Sequence, residues 1–326
     1  MEYVKLGRTG LDVSKLALGC MSYGDPSFEQ FKWVLEEADA RKVMKHAIDL
    51  GINFFDTANT YSNGASEEIV GRALKDFARR EDIVLATKVF FQMRPDRPNS
   101  SGLSRKEIMY EVEQSLRRLG TDYIDLLYIH RWDYNTPIEE TMRALNDLVT
   151  AGKVRYIGAS AMYAWQFQKA QYVAEKHGWV QFVAMQNHYN LLYREEEREM
   201  IPLCKDMGVG LTPYSPLAAG RLSRDWTATT KRAEVDKIAK AKYDSTVASD
   251  KIIVDLVGEL AEKYNTTRTG IALAWQWHKG VVAPIIGPTK EAYLDDAVNA
   301  LTVHLTEEDV QYLEEPYIPH KVMGAR

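Results

Sequence analysis

Eight short apolar runs alternate with stretches of helical periodicity along almost the whole chain, and no shift in composition interrupts them. The runs fall at residues 16–19, 52–55, 82–88, 123–130, 154–157, 180–185, 209–212 and 281–286. Apolar runs of this length, without polar alternation, read as strands buried on both faces, the pattern of a parallel sheet covered by helices. Eight such units in 326 residues predict an α/β protein, a single (β/α)8 TIM barrel spanning 1–326 as one domain. The rival is an open, doubly wound sheet. It wants a G-x-G-x-x-G turn after a strand, and none follows any of these runs.

Helix boundaries punctuate the alternation. A helix near 36–50 is stopped by Gly51, and Gly120, Gly178 and Gly208 close three others at the position where glycine is favoured. Ser66 is placed to cap a helix with Glu67 and Glu68 in its first turn and Ile69, Leu74 and Phe77 on one face. Ser104 caps a helix to Leu119; Pro137 opens another in the first turn that proline tolerates. Helices are also expected over 164–177, 195–207, 251–264, 269–279 and 290–300, with an extra C-terminal helix between Thr306 and Pro316. Ahead of the barrel, 4–15 reads as a β-hairpin turning at Arg8-Thr9-Gly10. Segments 89–102 and 222–249 are long connections, and long connections are where binding residues concentrate.

Three successive strands finish on an ionisable residue. The second run ends in Asp56, with Tyr61 in the loop beyond; the third ends in Lys88; the fourth ends in His130. In a parallel barrel the C-terminal ends of the strands form the reactive face. Lysine and aspartate are rarely fully buried unless paired, so Lys88 and Asp56 on neighbouring strands are expected to meet. Each residue alone has an ordinary explanation: an aspartate that makes a turn, a tyrosine that packs a loop, a histidine that orients structure. Together they are placed to border one cavity on that face. A phenol, with an ordinary pKa near ~10, becomes an easier donor beside an ammonium group.

Several stretches resemble the aldo-keto reductase superfamily, in its potassium-channel-β-subunit-like and bacterial monomeric branches. They are VKLGRTGLDVSKLALGCMSYG near the start, GINFFDTANTYSNGASEEIVGRAL at 51–74, ATK at 86–88, LLYIH at 126–130, GKVRYIGAS at 152–160, QNHYN at 186–190 and PYSPLAAGRL at 213–222. The resemblance implies a catalytic tetrad of Asp56, Tyr61, Lys88 and His130, a hairpin that plugs the bottom of the barrel, and NADP(H) as cofactor. It places Ser160 and Gln186 at the nicotinamide carboxamide and Tyr214 stacked on the ring. Ser215, Pro216, Leu217 and Gly220 would follow the pyrophosphate. Gly287 and Thr289 would reach the adenosine 2′-phosphate, with Lys290 and Arg232 as candidate cations. Gly19, Cys20 and Met21 join Asp56 on the cofactor side, although a small buried hydrophobe is the more ordinary role for Cys20. The chain departs from the pattern at three places: Ala161 stands where many relatives have Asn or Arg, Tyr214 where the channel-β branch has Trp, and Asp296-Ala297 where many have Glu-Asn.

Trp33, Phe90, Phe91, Trp132 and Tyr134 fall in loops on the reactive face and suggest an apolar pocket for an aromatic or medium-sized aldehyde. Arg94, Arg97 and Arg131 would serve an acidic substrate instead. The function expected is NADPH-dependent reduction of aldehydes and ketones; the alternative is a nucleotide-binding regulatory subunit of the channel-β type with residual reductase activity. A net charge of −5 without a basic block argues against nucleic acid, and no apolar run is long enough for a membrane span. Cys20 and Cys204 are isolated, as in a cytoplasmic protein with reduced thiols. No His/Cys/Asp/Glu spacing suggests a metal, and His188 reads as a lone structural histidine. A monomer or weak homo-oligomer is expected.

Overall fold

The computed structural model describes residues 1–28, 32–228, 236–244 and 246–324. Its centre is a sheet of eight parallel strands: β3 Ala17–Gly19, β4 Phe54–Asp56, β5 Val84–Val89, β6 Ile124–Ile129, β7 Val154–Ser160, β8 Phe182–Gln186, β9 Gly210–Leu211 and β10 Ile285–Ile286. From β3 to β9 each strand pairs with the next in sequence, and β10 pairs back onto β3. A bridge between Tyr214 and Ile285, with the Ile285 N–H donating to the Pro213 carbonyl at 2.9 Å, joins the two remaining edges. The expected (β/α)8 barrel is the fold. The expected hairpin is present too, as β1 Tyr3–Lys5 paired antiparallel with β2 Asp12–Ser14.

Helices α1 Glu37–Asp49, α2 Ala65–Phe77, α3 Arg105–Leu119, α4 Ile138–Thr150, α5 Ala164–His177 and α6 Met200–Met207 follow successive barrel strands. Helices α7 Lys237–Tyr243, α8 Val247–Lys263 and α9 Arg268–His278 lie between β9 and β10, and α10 Glu291–Asn299 and α11 Glu307–Glu314 complete the chain. The Ser104 side chain caps α3 as expected, and Gly120 ends it in the left-handed conformation.

Strand side chains alternate between two cores. Leu18, Phe55, Leu85, Leu127 and Ile157 pack outward against the helices. Ala17, Phe54, Val84, Ala86, Leu126, Tyr128, Ala184 and Ile285 point inward, and Leu6 and Val13 of the hairpin close the same cluster. The inward Tyr128 ring fits because residue 158 is glycine: a Cβ there would stand 2.5 Å from the ring.

Four boundaries differ from expectation. Ser66 does not cap α2; the cap is Gly64 at φ 98°, and Ser66 sits inside the first turn. No single helix covers 195–207, because Pro202 would lose its bond and clash with the carbonyl of Arg198. A short 3-10 turn, Glu195–Glu197, precedes α6 instead. Strands β9 and β10 are shorter than the apolar runs, since Pro213 and Pro284 have no N–H for the ladder. Within the long polar connection, α7 and the start of α8 are helical.

Candidate active site

The inward rows turn polar at the C-terminal ends of the strands. Two residues beyond Phe54 is Asp56; two beyond Ala86 is Lys88; two beyond Tyr128 is His130; two beyond Gly158 is Ser160; two beyond Ala184 is Gln186. The period of two that buries Phe54 and Tyr128 therefore delivers all five polar groups to the same end of the barrel interior. Asp56, Lys88, His130, Ser160 and Gln186 are all buried, and Tyr61 is half-buried above them.

Lys88 is the hub. Its Nζ donates to Asp56 Oδ1 at 2.5 Å, to the Thr57 carbonyl at 2.7 Å and to the Tyr61 hydroxyl at 3.2 Å. An ammonium has three protons, and each has a partner. Asp56 Oδ2 accepts from Gln186 Nε2 at 2.8 Å, and Ser160 Oγ donates to the Gln186 carbonyl at 2.8 Å. The Tyr61 and His130 rings meet edge to face, 5.9 Å apart. Phe91 packs against His130 from another side at 4.9 Å, and Phe90 against Phe91 at 5.3 Å.

Charge follows from this packing. Burial alone would lower the Lys88 ammonium, but the Asp56 carboxylate and the Tyr61 oxygen outweigh it and hold it above its ordinary value. Burial pushes the His130 imidazole well below its ordinary range, and the Lys88 and Arg131 cations add to the effect. His130 is thus neutral, with one N–H to donate. For Tyr61 the expected net lowering is absent. Burial raises the phenol more than Lys88, helped by Arg131, pulls it down. The phenol is fully protonated at neutral pH, and Lys88 limits the rise rather than reversing it.

The loop that carries Tyr61 is strained. Ser62 and Asn63 have φ of 45° and 51°, ahead of Gly64. Further non-glycine residues with positive φ follow β7, at Ala161, and β9, at Ser215, Ala218 and Ala219. Such conformations cost of order 1–3 kcal/mol each and persist where the surroundings impose them, as at ligand-binding sites.

The positions expected to face a cofactor fall in four places. Ser160, Gln186 and Asp56 join the network above. Tyr214 lies beyond β9 and is followed by a tight, strained stretch: the Ala218 N–H donates to the Ser215 carbonyl and the Gly220 N–H to that of Leu217, with Pro216 buried between. Gly19 and Gly287 lie where β3 and β10 approach: a Cβ on Gly19 would come within 2.7 Å of Ile285, and one on Gly287 within 2.9 Å of Ser22. Cys20 is fully buried, its thiol raised by burial and donating to the Leu18 carbonyl at 3.5 Å; Met21 beside it is half-buried. Thr289 is half-buried and Lys290 exposed at the start of α10. Asp296 accepts from Thr267 at 2.7 Å, which ties α10 to the start of α9. Arg232 lies outside the described residues.

Among the expected substrate residues, Phe90 joins the ring chain beside His130. Trp132 is buried under Trp165, and Tyr134 is exposed with its hydroxyl accepting from Gln166 Nε2 at 2.9 Å. Trp33 is half-buried. Arg94 is paired with Glu107, and Arg131 adjoins the site, donating to the His130 carbonyl at 2.7 Å.

Three more residues lie here, two of them passed over in the sequence reading. Lys242 of α7 places its Nζ 4.6 Å from the Tyr214 ring centroid, and burial, with Arg131 nearby, lowers it to about 8. His188 stacks on Tyr214 with ring centroids 5.2 Å apart. Trp165, 58% exposed, extends the aromatic rim at the start of α5. A single sequence gives no cue to Lys242 or Trp165. The QNHYN stretch did mark His188. Among the described residues no group of His, Cys, Asp and Glu has the arrangement of a metal site, and no helix is long and apolar enough to cross a membrane.

Residues 15–318 match the sequence model described as the Aldo/keto reductase family. The chain is 46% identical to versiconal hemiacetal acetate reductase of Aspergillus parasiticus, covering 99% of this chain and 98% of that protein. It is 45% identical to the aldo-keto reductase AMT2 of Alternaria alternata, over 97% of this chain and 91% of the relative. A Schizosaccharomyces pombe protein with a provisional aryl-alcohol dehydrogenase name is 49% identical, over 99% of this chain and 97% of its own length.

Proposed function

The chain belongs to the aldo/keto reductase family, and from that premise we propose that it is an NADPH-dependent reductase of aldehydes and ketones with Asp56, Tyr61, Lys88 and His130 as its catalytic residues. The observation that carries this reading is the Lys88 ammonium, buried at the C-terminal end of its strand and bonded at once to Asp56 and to the Tyr61 hydroxyl.

The residues fit a nicotinamide dinucleotide. Ser160 and Gln186 offer amide-binding groups beside Tyr61, Tyr214 offers a ring for stacking, and the strained backbone from Ser215 to Gly220 can come close to phosphates. When bound, the cofactor supplies the hydride. The protein supplies the rest. The neutral His130 donates a hydrogen bond to the substrate oxygen and fixes its approach. Tyr61 gives its proton to the oxygen as negative charge develops there. Lys88 stabilises the phenolate left behind, and Asp56 keeps Lys88 charged and aimed. Thr289 and Lys290 are our candidates for the 2′-phosphate that separates NADPH from NADH.

Substrate choice falls to the aromatic rim. Phe90, Phe91, Trp132 and Tyr134 favour an aromatic carbonyl compound, and the relatives named for aryl alcohols and for versiconal hemiacetal acetate support that choice. Free, buried Cys20 and Cys204 fit a cytoplasmic enzyme. The test is consumption of NADPH, followed at 340 nm, against a panel of aromatic and aliphatic aldehydes, with NADH in parallel. Turnover of aromatic aldehydes with NADPH preferred is expected. A chain that binds neither nucleotide, or binds NADPH and reduces nothing in the panel, would sink the proposal.

A further inference from the structure

His188 has no part in the proton chemistry, yet its ring is fully enclosed at the edge of the site. It lies between two tyrosines. Tyr193 stacks on it with centroids 4.3 Å apart and planes 14° apart; Tyr214 stacks at 5.2 Å with planes 6° apart. The backbones of His188 and Tyr214 also form a parallel bridge, so the two rings ride on adjacent, registered chain segments. The third side is closed by α7: His188 Nε2 meets the Tyr243 hydroxyl at 2.8 Å. Asn190 Nδ2 reaches the same hydroxyl at 3.1 Å and the Ser215 carbonyl at 2.8 Å. Burial, with the Lys242 and His320 charges, lowers the imidazole well below its ordinary range, so the ring stays neutral.

We propose that His188 is a positioning residue for hydride transfer: sandwiched between Tyr193 and Tyr214, its ring fixes the plane of Tyr214 and so the plane of a nicotinamide stacked on it. The inference rests on the reading of Tyr214 as the stacking platform. A tyrosine ring pivots about its Cβ–Cγ bond unless something flat holds it. Here a flat, neutral group of matching orientation covers one face, and Tyr193 braces that group from behind. Hydride transfer depends steeply on the angle and distance of the donor carbon, so a platform free to rock would lower the rate as well as the affinity.

The test compares two replacements that both fill the site and both lose the bond to Tyr243, whose hydroxyl keeps Asn190. His188→Phe retains a flat ring; His188→Leu does not. In His188→Leu, NADPH affinity is expected to fall three- to tenfold, the size of an aromatic pair contact, and kcat to fall beyond what saturating cofactor restores. His188→Phe should stay within about twofold of the parent on both. The primary isotope effect with NADPH deuterated at the transferred position should rise in His188→Leu, as hydride transfer becomes limiting. Melting curves for both variants identify folded protein. Equal NADPH affinity and kcat in the two folded variants would overturn the proposal. Tyr214→Ala separates this from failure of the platform reading. Unchanged NADPH affinity in Tyr214→Ala removes the platform itself, whereas weakened binding there with no Phe–Leu difference removes only the role of His188.

Discussion

At one end of the barrel interior, Leu6 and Val13 of the hairpin pack against Phe54 and Val84 with no charge among them. At the other end, two residues beyond Phe54 and four beyond Val84 on the same strands, Asp56 and Lys88 are buried in a hydrogen-bonded polar cluster. The apolar end is where burial stabilises, by about 1.5–3 kcal/mol for each large side chain removed from water. The polar end contributes little net stability. A buried ion pair recovers roughly the cost of removing its two charges from water, and breaking it is worse than never having built it. His130 Nδ1, Ser62 Oγ and Asn187 Oδ1 are buried there without hydrogen-bond partners, and the backbone after Tyr61 is strained. The difference teaches a division of labour: one end holds the fold so that the other can keep groups in states that a free chain would not.

The sharpest way to probe that division is at Tyr61 and Lys88. Tyr61→Phe keeps the ring and removes the hydroxyl, so kcat for aldehyde reduction should fall about 10²–10⁴-fold while the melting temperature and NADPH affinity hold. Lys88→Met should lose as much activity and also destabilise by about 3–5 kcal/mol, because Asp56 is left buried without its partner. Adding Asp56→Asn to Lys88→Met should return much of that stability and none of the activity. Steady-state rates beside thermal melts check all three. A Tyr61→Phe protein with most of its kcat would end the acid assignment.

At the other end the pattern should invert. Leu6→Ala opens a void under the barrel and should cost about 2–5 kcal/mol, read by urea unfolding, while kcat measured well below the melting point stays at the parent value. If Leu6→Ala lowered kcat by more than about twofold, the two ends would be coupled and the division would be wrong.

Much of this was legible in the sequence, and the exceptions have physical reasons. Asp56, Lys88 and His130 stood out because each ends an apolar run, and a charge in such a place needs an explanation. Ser160 and Gln186 end inward rows in the same way, but neutral side chains do not stand out against the run that precedes them. Pro202, Pro213 and Pro284 were visible breakers, and giving them full weight would have shortened α6, β9 and β10. The direction of the Tyr61 shift could not be read, since it is a balance between burial and the Lys88 charge, and only packing sets the burial. Nor could the ring stack, because Tyr193, His188 and Tyr214 come together only when β8 and β9 are in register.

The smallest effect expected lies behind the polar end, at Glu196. Burial pushes its carboxyl up to about 7, against a lowering by the Asn187 amide, and the Glu195 charge adds to the rise. Asn187 follows Gln186 directly, so this carboxyl borders the network of the site. A carboxyl whose folded value lies above its unfolded one binds its proton more tightly in the folded state. Its contribution to stability is whole below about pH 4.5 and is lost as pH rises toward about 7. The slope is at most about 1.4 kcal/mol per pH unit for one proton. The histidines held below their ordinary range, His130 and His188, act in the opposite sense: they favour folding more as pH rises toward their unfolded value. The raw pH profile therefore mixes the two. Subtracting the profile of Glu196→Gln isolates the carboxyl, because both proteins carry the same histidines. Urea unfolding from pH 4 to 8 should show the parent losing stability relative to Glu196→Gln through this window, and the difference levelling above it. Parallel profiles would mean that the carboxyl is as well solvated folded as unfolded, and the polar end would then be less enclosed behind Asn187 than its packing implies.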